Sequence, residues 1–249
     1  MKRLIFCLFS LGLSITLSAQ TLSVLDIVKK ADSKMRGESS YSEMTMTIVR
    51  PTWQRSISMK IWTKGTHFAL IKVTAPAKDK GTGFVKRDKE LWNWIPSIDR
   101  LIKMSASVMG QSWMGSDFTN DDMVRESSMV TDYTQKMAGE EEIRGFNCYQ
   151  IELTPLPEAA VVWGKVIVWI EKETFNMIRT QNLDENFNLA QTLENYDFKQ
   201  FGDRTLPSRR EMTPAAGKEQ KTVITISKAQ YNIPIQESFF SQQNLKTIQ

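Results

Sequence analysis

Histidine and cysteine are scarce in this chain of 249 residues: it holds one of the former, His67, and two of the latter, Cys7 and Cys148. The scarcity excludes most catalytic and metal chemistry at the outset. Metal sites need several His, Cys or acidic side chains at ligand spacing, and no such grouping occurs. His67 stands between a turn and an apolar run and reads as a surface or edge residue of a strand. Cys7 falls in the leader described below, so the processed chain keeps one thiol. It can form no internal disulfide, and we expect no disulfide-linked partner. Cys148, within FNCYQIEL, reads as a small buried hydrophobe. Also missing is a basic stripe. The formal net charge is +4, and the densest basic run, residues 78–89, is interrupted by Asp79 and Asp88. That pattern lacks the footprint of a nucleic-acid binder.

Three short motifs invite chemistry and fail on spacing. A nucleophile elbow needs G-x-S-x-G, and GQSWMG (residues 110–115) misses it by one residue, with the lone His upstream. The GTG at 81–83 lacks the phosphate-loop pattern and reads as a turn. Asp117, Asp121 and Asp122 do not match a calcium loop. They read as the solvated, dipole-favoured start of a helix with Ser116 as its N-cap. We therefore expect no catalytic residue, no metal and no cofactor.

Residues 1–19 have the anatomy of a cleavable signal peptide: Lys2 and Arg3, then the apolar run LIFCLFSLGLSITL, then Ser18-Ala19 before Gln20. The apolar run is shorter than the roughly 20 residues that span a bilayer, and no later run approaches that length. Losing two basic groups and no acidic ones takes the net charge from +4 to +2. No linker or internal repeat divides the remainder, so residues 20–249 are expected to form one exported, soluble domain.

Its periodicity is mostly that of strands. Leu22, Leu25, Val28 and Met35 recur near helical spacing before Gly37, which predicts one amphipathic helix. From Tyr41 the period becomes two. Residues 41–49, 57–62, 67–74, 90–95, 133–137, 148–154, 161–171, 177–184, 189–198, 209–213 and 222–231 all read as extended, separated by short polar turns. The run VVWGKVIVWI is apolar on both faces, as in a strand covered on both sides. A short helix is expected near 237–240.

The stretch 104–116, MSASVMGQSWMGS, carries no charge and mixes Met and Trp with small residues. It suits an adaptable apolar wall or lid; an ordinary buried helix is the competing reading. Trp62, Trp92, Trp94, Trp113, Trp163 and Trp169 lie in or beside strands. Together with Met104, Met109, Met114 and Phe118 they are the candidate lining of an apolar ligand site.

Residues 91–124 carry a fuller signature. Trp92, Trp94 and Pro96 form a W-x-W-x-P strand, and Arg100 and Ser105 bound a basic stretch. Trp113, Met114, Gly115, Ser116, Asp117, Phe118, Asp122 and Met123 compose a WMGSDF-x-x-x-DM motif. With WTKG and AP-x4-GTGF upstream, this resembles the outer-membrane lipoprotein-sorting family of periplasmic proteins, relatives of the LolA carrier. The resemblance implies a mainly β fold with helices: an incomplete antiparallel β-barrel of about eleven strands, wrapped around helices that act as a lid over an apolar cavity. It also implies carriage of lipoprotein acyl chains or another lipid across the periplasm toward the outer membrane. The partners it implies are an inner-membrane transporter and an outer-membrane acceptor. A non-transporting lipid-sensing or transporter-accessory module of the same fold stays open as the alternative.

Overall fold

The computed structural model describes residues 22–124, 128–217 and 219–248; the expected signal peptide lies outside them. The first element is helix α1 (Val24–Arg36), capped where Ser23 Oγ accepts the Asp26 N–H at 3.1 Å and ended at Gly37. Ile27, Val28, Ala31 and Met35 turn inward from it while Lys29 and Lys30 stay in solvent; of the expected apolar set Val28 and Met35 are buried, Leu25 is half-buried, and Leu22 lies before the helix and is exposed.

Thirteen strands then build one antiparallel sheet. One meander runs through β1 (Ser39–Arg50), β2 (Trp53–Lys64), β3 (Phe68–Ala75), β4 (Gly83–Arg87), β5 (Glu90–Ile95) and β6 (Arg100–Met104). A second runs through β7 (Tyr133–Ile143), β8 (Phe146–Pro155), β9 (Lys165–Glu171), β10 (Met177–Leu183), β11 (Leu189–Phe201), β12 (Arg204–Pro214) and β13 (Lys221–Tyr231). β1 pairs with β13, so the spatial order is 6-5-4-3-2-1-13-12-11-10-9-8-7 and the sheet does not close. The edges, β6 and β7, are consecutive in the chain. Residues 105–132 must therefore pass from one edge to the other.

The expected mainly β fold and open barrel stand, with thirteen strands in place of about eleven. The two unforeseen strands are β4 and β6, both short and basic. In β4 the charge is buried: Lys86 Nζ donates to the Thr66 carbonyl at 2.7 Å. Gly83, read as part of a turn, is the first residue of β4, and it lies so close under the C-terminal helix that a Cβ there would be 2.5 Å from Leu245 Cδ1. β6 is an exposed edge whose Arg100 and Lys103 discourage further pairing. The expected strand 161–171 begins late, at Lys165. At Gly164 the backbone passes so close to Asp184 that a Cβ would sit 2.4 Å from its carbonyl oxygen. From there β9 is apolar on both faces as expected. Val166, Val168 and Ile170 pack under α1, and Trp169 packs outward with Ile143, Cys148 and Ile178.

Alternation sorts the core into two inner clusters and two outer ones. Inside, Met46, Ile48, Ile57, Met59, Ile71 and Val73 of β1–β3 gather around Trp113 and Phe118. The other inner cluster joins α1 to Ile151, Leu153, Met177 and Leu206. Outside β2–β5, the chain's end covers Leu70, Val85 and Trp94 with Phe240 and Leu245. There a 3-10 turn (Glu237–Phe239) precedes helix α3 (Gln242–Thr247). Lys72 tethers that helix, its Nζ donating to the Leu245 carbonyl at 2.7 Å.

Several hydrogen bonds tie the crossing segment to the sheet, among them Gln135 Nε2 to the Met129 carbonyl at 2.8 Å, and the densest set is at Asp117. Asp117 receives a two-pronged contact from Arg50, at the end of β1: Nη2 to Oδ1 at 2.9 Å and Nη1 to Oδ2 at 3.0 Å. Thr222 of β13 adds its hydroxyl to the same carboxylate at 2.6 Å and accepts the Asp117 N–H at 2.9 Å. Asp117 is thus largely shielded from solvent, its side chain 9% exposed, and it does not begin a helix. Helix α2 (Asn120–Val124) starts later, and Ser116 is not its cap. Thr119 and Asp122 cap it reciprocally, Asp122 N–H to Thr119 Oγ1 at 3.0 Å and Thr119 N–H to Asp122 Oδ2 at 2.8 Å. Removing one partner of a buried ion pair costs about 3–5 kcal/mol, and for this partly buried pair, with its added Thr222 hydrogen bonds, a smaller loss of about 2–3 kcal/mol is expected. Asp117→Ala should lose stability on that scale in urea unfolding followed by Trp fluorescence, and a loss of about 0.5 kcal/mol or less, the scale of an ordinary surface change, would show that the contact does not hold the segment.

Candidate functional site

Between the two inner clusters, on the concave face, lies a cavity of about 230 Å³ that opens to solvent. Every side of it comes from a different element. α1 supplies Met35, the crossing segment supplies Phe118, Met123 and Met129, and Trp163 stands before β9. The floor is Met44, Ile61, Met177, Leu193, Leu206, Met212, Ile224 and Ile226, projecting from β1, β2 and β10–β13. Six of these side chains are methionines, which fit irregular apolar shapes because the thioether chain is flexible and polarizable.

Of the residues singled out in the sequence, Phe118 and Trp163 line this cavity, as does Asp122 of the motif. Trp113 is fully buried in the neighbouring cluster, its ring tilted 47° against Phe84 at 5.6 Å, with Met104, Met109 and Met114 packed around that cluster. Its segment is neither a free loop nor a continuous helix. It makes a 3-10 turn (Ala106–Val108) and a tight reversal in which the Trp113 N–H reaches the Phe118 carbonyl at 2.8 Å. Gly115 and Ser116 belong to that reversal. Trp62, Trp92 and Trp94 are on the opposite, convex face, against the C-terminal residues. Trp169 is also on the outside, its indole N–H donating to Glu141 at 2.7 Å.

The lining from β12 was not legible as a site residue. Leu206, Arg210 and Met212 lie on the inner side of that strand, and Arg210 sits where the two apolar clusters meet. Its phase with Leu206 and Met212 is the weak signal that could have marked it, interrupted by the polar Ser208 on the same face. The Arg210 Nε donates to Asn195 Oδ1 at 3.2 Å. Burial pulls the guanidinium pKa below its usual range, partly offset by the charges of Asp122 and Tyr231. Asp122 feels the reverse: burial raises its carboxyl pKa, against the hydrogen bonds from Thr119. At the rim, Asp32 is held by Arg36 at 3.2 Å.

Elsewhere the titratable groups offer little chemistry. Cys148 is buried, and its thiol is pushed up to about 11, mainly by burial. His67 is exposed beside Asp88, at 3.3 Å. Among the described residues, no cluster of three or more His, Cys, Asp or Glu could hold a metal ion, and no helix is long and apolar enough to cross a membrane.

A raised carboxyl pKa has a defined sign. Between the ordinary value of 3.8 and the higher folded value, the native state keeps a proton that the unfolded chain has released. Asp122 therefore lowers stability as pH rises through that window, and stability stays lowered above it. Asp122→Asn keeps an acceptor for the Thr119 N–H. It should raise the melting temperature at pH 7 and raise it less near pH 4; a variant less stable than the parent at pH 7 would contradict this.

A family model described as that of an uncharacterized protein matches residues 65–247. Three solved structures are similar over nearly all of the described chain. One is a DUF1329 family protein from Desulfovibrio piger, 23% identical with a TM-score of 0.80, covering 89% of this chain and 97% of that one. Another is the putative outer membrane lipoprotein-sorting protein domain from Vibrio parahaemolyticus, 20% identical with a TM-score of 0.79, covering 89% and 97%. A third is a LolA superfamily protein from Nitrosomonas europaea, 19% identical with a TM-score of 0.78, covering 90% of this chain and all of that one. No curated protein matches.

Proposed function

We propose, for a chain that belongs to the family whose model spans residues 65–247 and has the fold of LolA-like lipoprotein-sorting proteins, a role as a non-enzymatic carrier of acyl chains. Its place is the periplasm, reached through the signal peptide at residues 1–19, and residues 20–249 act as one binding unit. The cargo is a lipoprotein's acyl chains or another lipid, moved toward the outer membrane. An inner-membrane transporter on the donor side and an outer-membrane acceptor are the partners that this role calls for.

The observation that carries the proposal is the Met-rich cavity between α1, the crossing segment and the concave sheet. An all-purpose structural core would interdigitate there without leaving space. At about 230 Å³ the cavity falls short of the ~300–1,000 Å³ usual for small-molecule sites, so a full acyl chain requires α1 and the crossing segment to part further. The wall that would move is the one held by few polar ties, and the Met side chains can repack around the guest.

Ile226 lines the cavity from β13 and is only partly buried. Ile226→Trp should fill the space and weaken binding of a fluorescent fatty acid at least about tenfold, some 1.4 kcal/mol, with the far-ultraviolet circular dichroism unchanged. Protein extracted natively from the periplasm should carry lipid detectable by mass spectrometry. A wild-type protein that comes out empty and gains no thermal stability from saturating lipid would sink the carrier reading.

A further inference from the structure

The cavity is not uniformly apolar, and its polar groups are unevenly matched. Arg210 projects into it with Nε fixed by Asn195 at 3.2 Å, while among the described residues Nη1 and Nη2 have no hydrogen-bond or ion-pair partner. Trp163, on the same cavity, keeps a buried indole N–H with no acceptor. Asp122 stands closest to Arg210 in charge terms, but one of its oxygens is already engaged by the Thr119 N–H. Asp32 is occupied by Arg36, and Asp121 is buried with its own interactions. A guanidinium that lines an apolar cavity with both terminal nitrogens free of protein hydrogen bonds is suited to a ligand that supplies the oxygens.

Resting on the carrier reading, we infer that Arg210 and Trp163 receive the oxyanion end of an amphiphile whose alkyl chain lies among the cavity's methionines. The ligand class is a single acyl or alkyl chain ending in a carboxylate or a phosphate. The guanidinium offers two parallel donors to either, and the indole offers a third. Asn195, nearly fully buried, is a positioning residue: it holds Nε so that the fork faces the cavity.

The test measures displacement of a neutral fluorescent alkyl probe from the processed protein by hexadecanoate, hexadecyl phosphate and hexadecanol, each below its micelle concentration. In the wild type at least one anion should bind about tenfold or more tightly than the alcohol, and which anion leads tells carboxylate from phosphate. Arg210→Met should abolish that preference and leave hexadecanol affinity within about twofold, because only the oxyanion contact is removed. If the wild type binds the alcohol as well as the anions, or if folded Arg210→Met keeps the preference, the inference is overturned while the carrier reading stands. If none of the three ligands binds, both fail. Should Arg210→Met not fold, the wild-type comparison alone decides.

Discussion

The contact between Arg50, Asp117 and Thr222 is the constraint on which the arrangement rests. An open sheet of thirteen strands leaves its concave face bare, and here the two edges are joined by a single stretch of chain. That stretch has to cross the mouth, but topology does not say how deep it lies. The buried fork from Arg50 does, by pinning Asp117 where β1 meets β13, at the middle of the sheet. Trp113 and Phe118 on either side are thereby pressed onto Met46, Ile57, Ile71 and Phe84. The WMGSDF motif is therefore first a device of packing: an aromatic plug, a sharp reversal and one carboxylate that fastens both.

The remaining exposed surfaces of the sheet are handled by separate means. The convex face of β2–β5 is too apolar for water and is sealed by the C-terminal segment, with Phe240 and Leu245 fully buried and Lys72 anchoring the helix end. The edge strands are blunted by charge, Arg100 and Lys103 on β6 and Glu140, Glu141 and Glu142 on β7. A register shift near Gly139 bends the second edge away from regular pairing. An open barrel needs these devices because closure, which would remove both edges, would also remove its mouth.

Much of this was legible from period and turn chemistry, and the gaps have identifiable causes. Eleven strands show in the alternation; β4 and β6 escape because Lys86, Arg87, Arg100 and Lys103 make them look like solvated basic chain. Burial of Lys86 depends on the Thr66 carbonyl, a contact across a turn that no local pattern announces. The family motif was visible, yet its acidic residues were misread, since the fork that buries Asp117 comes from Arg50, 67 residues away. The tryptophans mark apolar surface without telling which side of the sheet they occupy. Trp92 and Trp94 alternate just as inward residues would, and only the C-terminal segment reveals that their face is the convex one, which Trp62 shares in the same phase as Ser58 and Lys60. Arg210 carries no distinguishing mark in the sequence, because Arg209 beside it offers the same side chain to the other face and Ser208 interrupts the apolar phase.

The cavity persists for a related physical reason. Methionine and isoleucine side chains lining a trough would normally settle into contact and expel the space between them. Two features oppose that here. The crossing segment is fixed at Asp117 and can follow the sheet no farther than that anchor permits. Arg210 and Asp122, both displaced from their usual titration ranges by burial, stand between the apolar clusters and cannot be pressed into hydrocarbon without further desolvation. The open sheet, the anchor at Asp117 and the charged seam together hold the two halves of the core apart, and the gap that results is apolar along its walls and polar at one place.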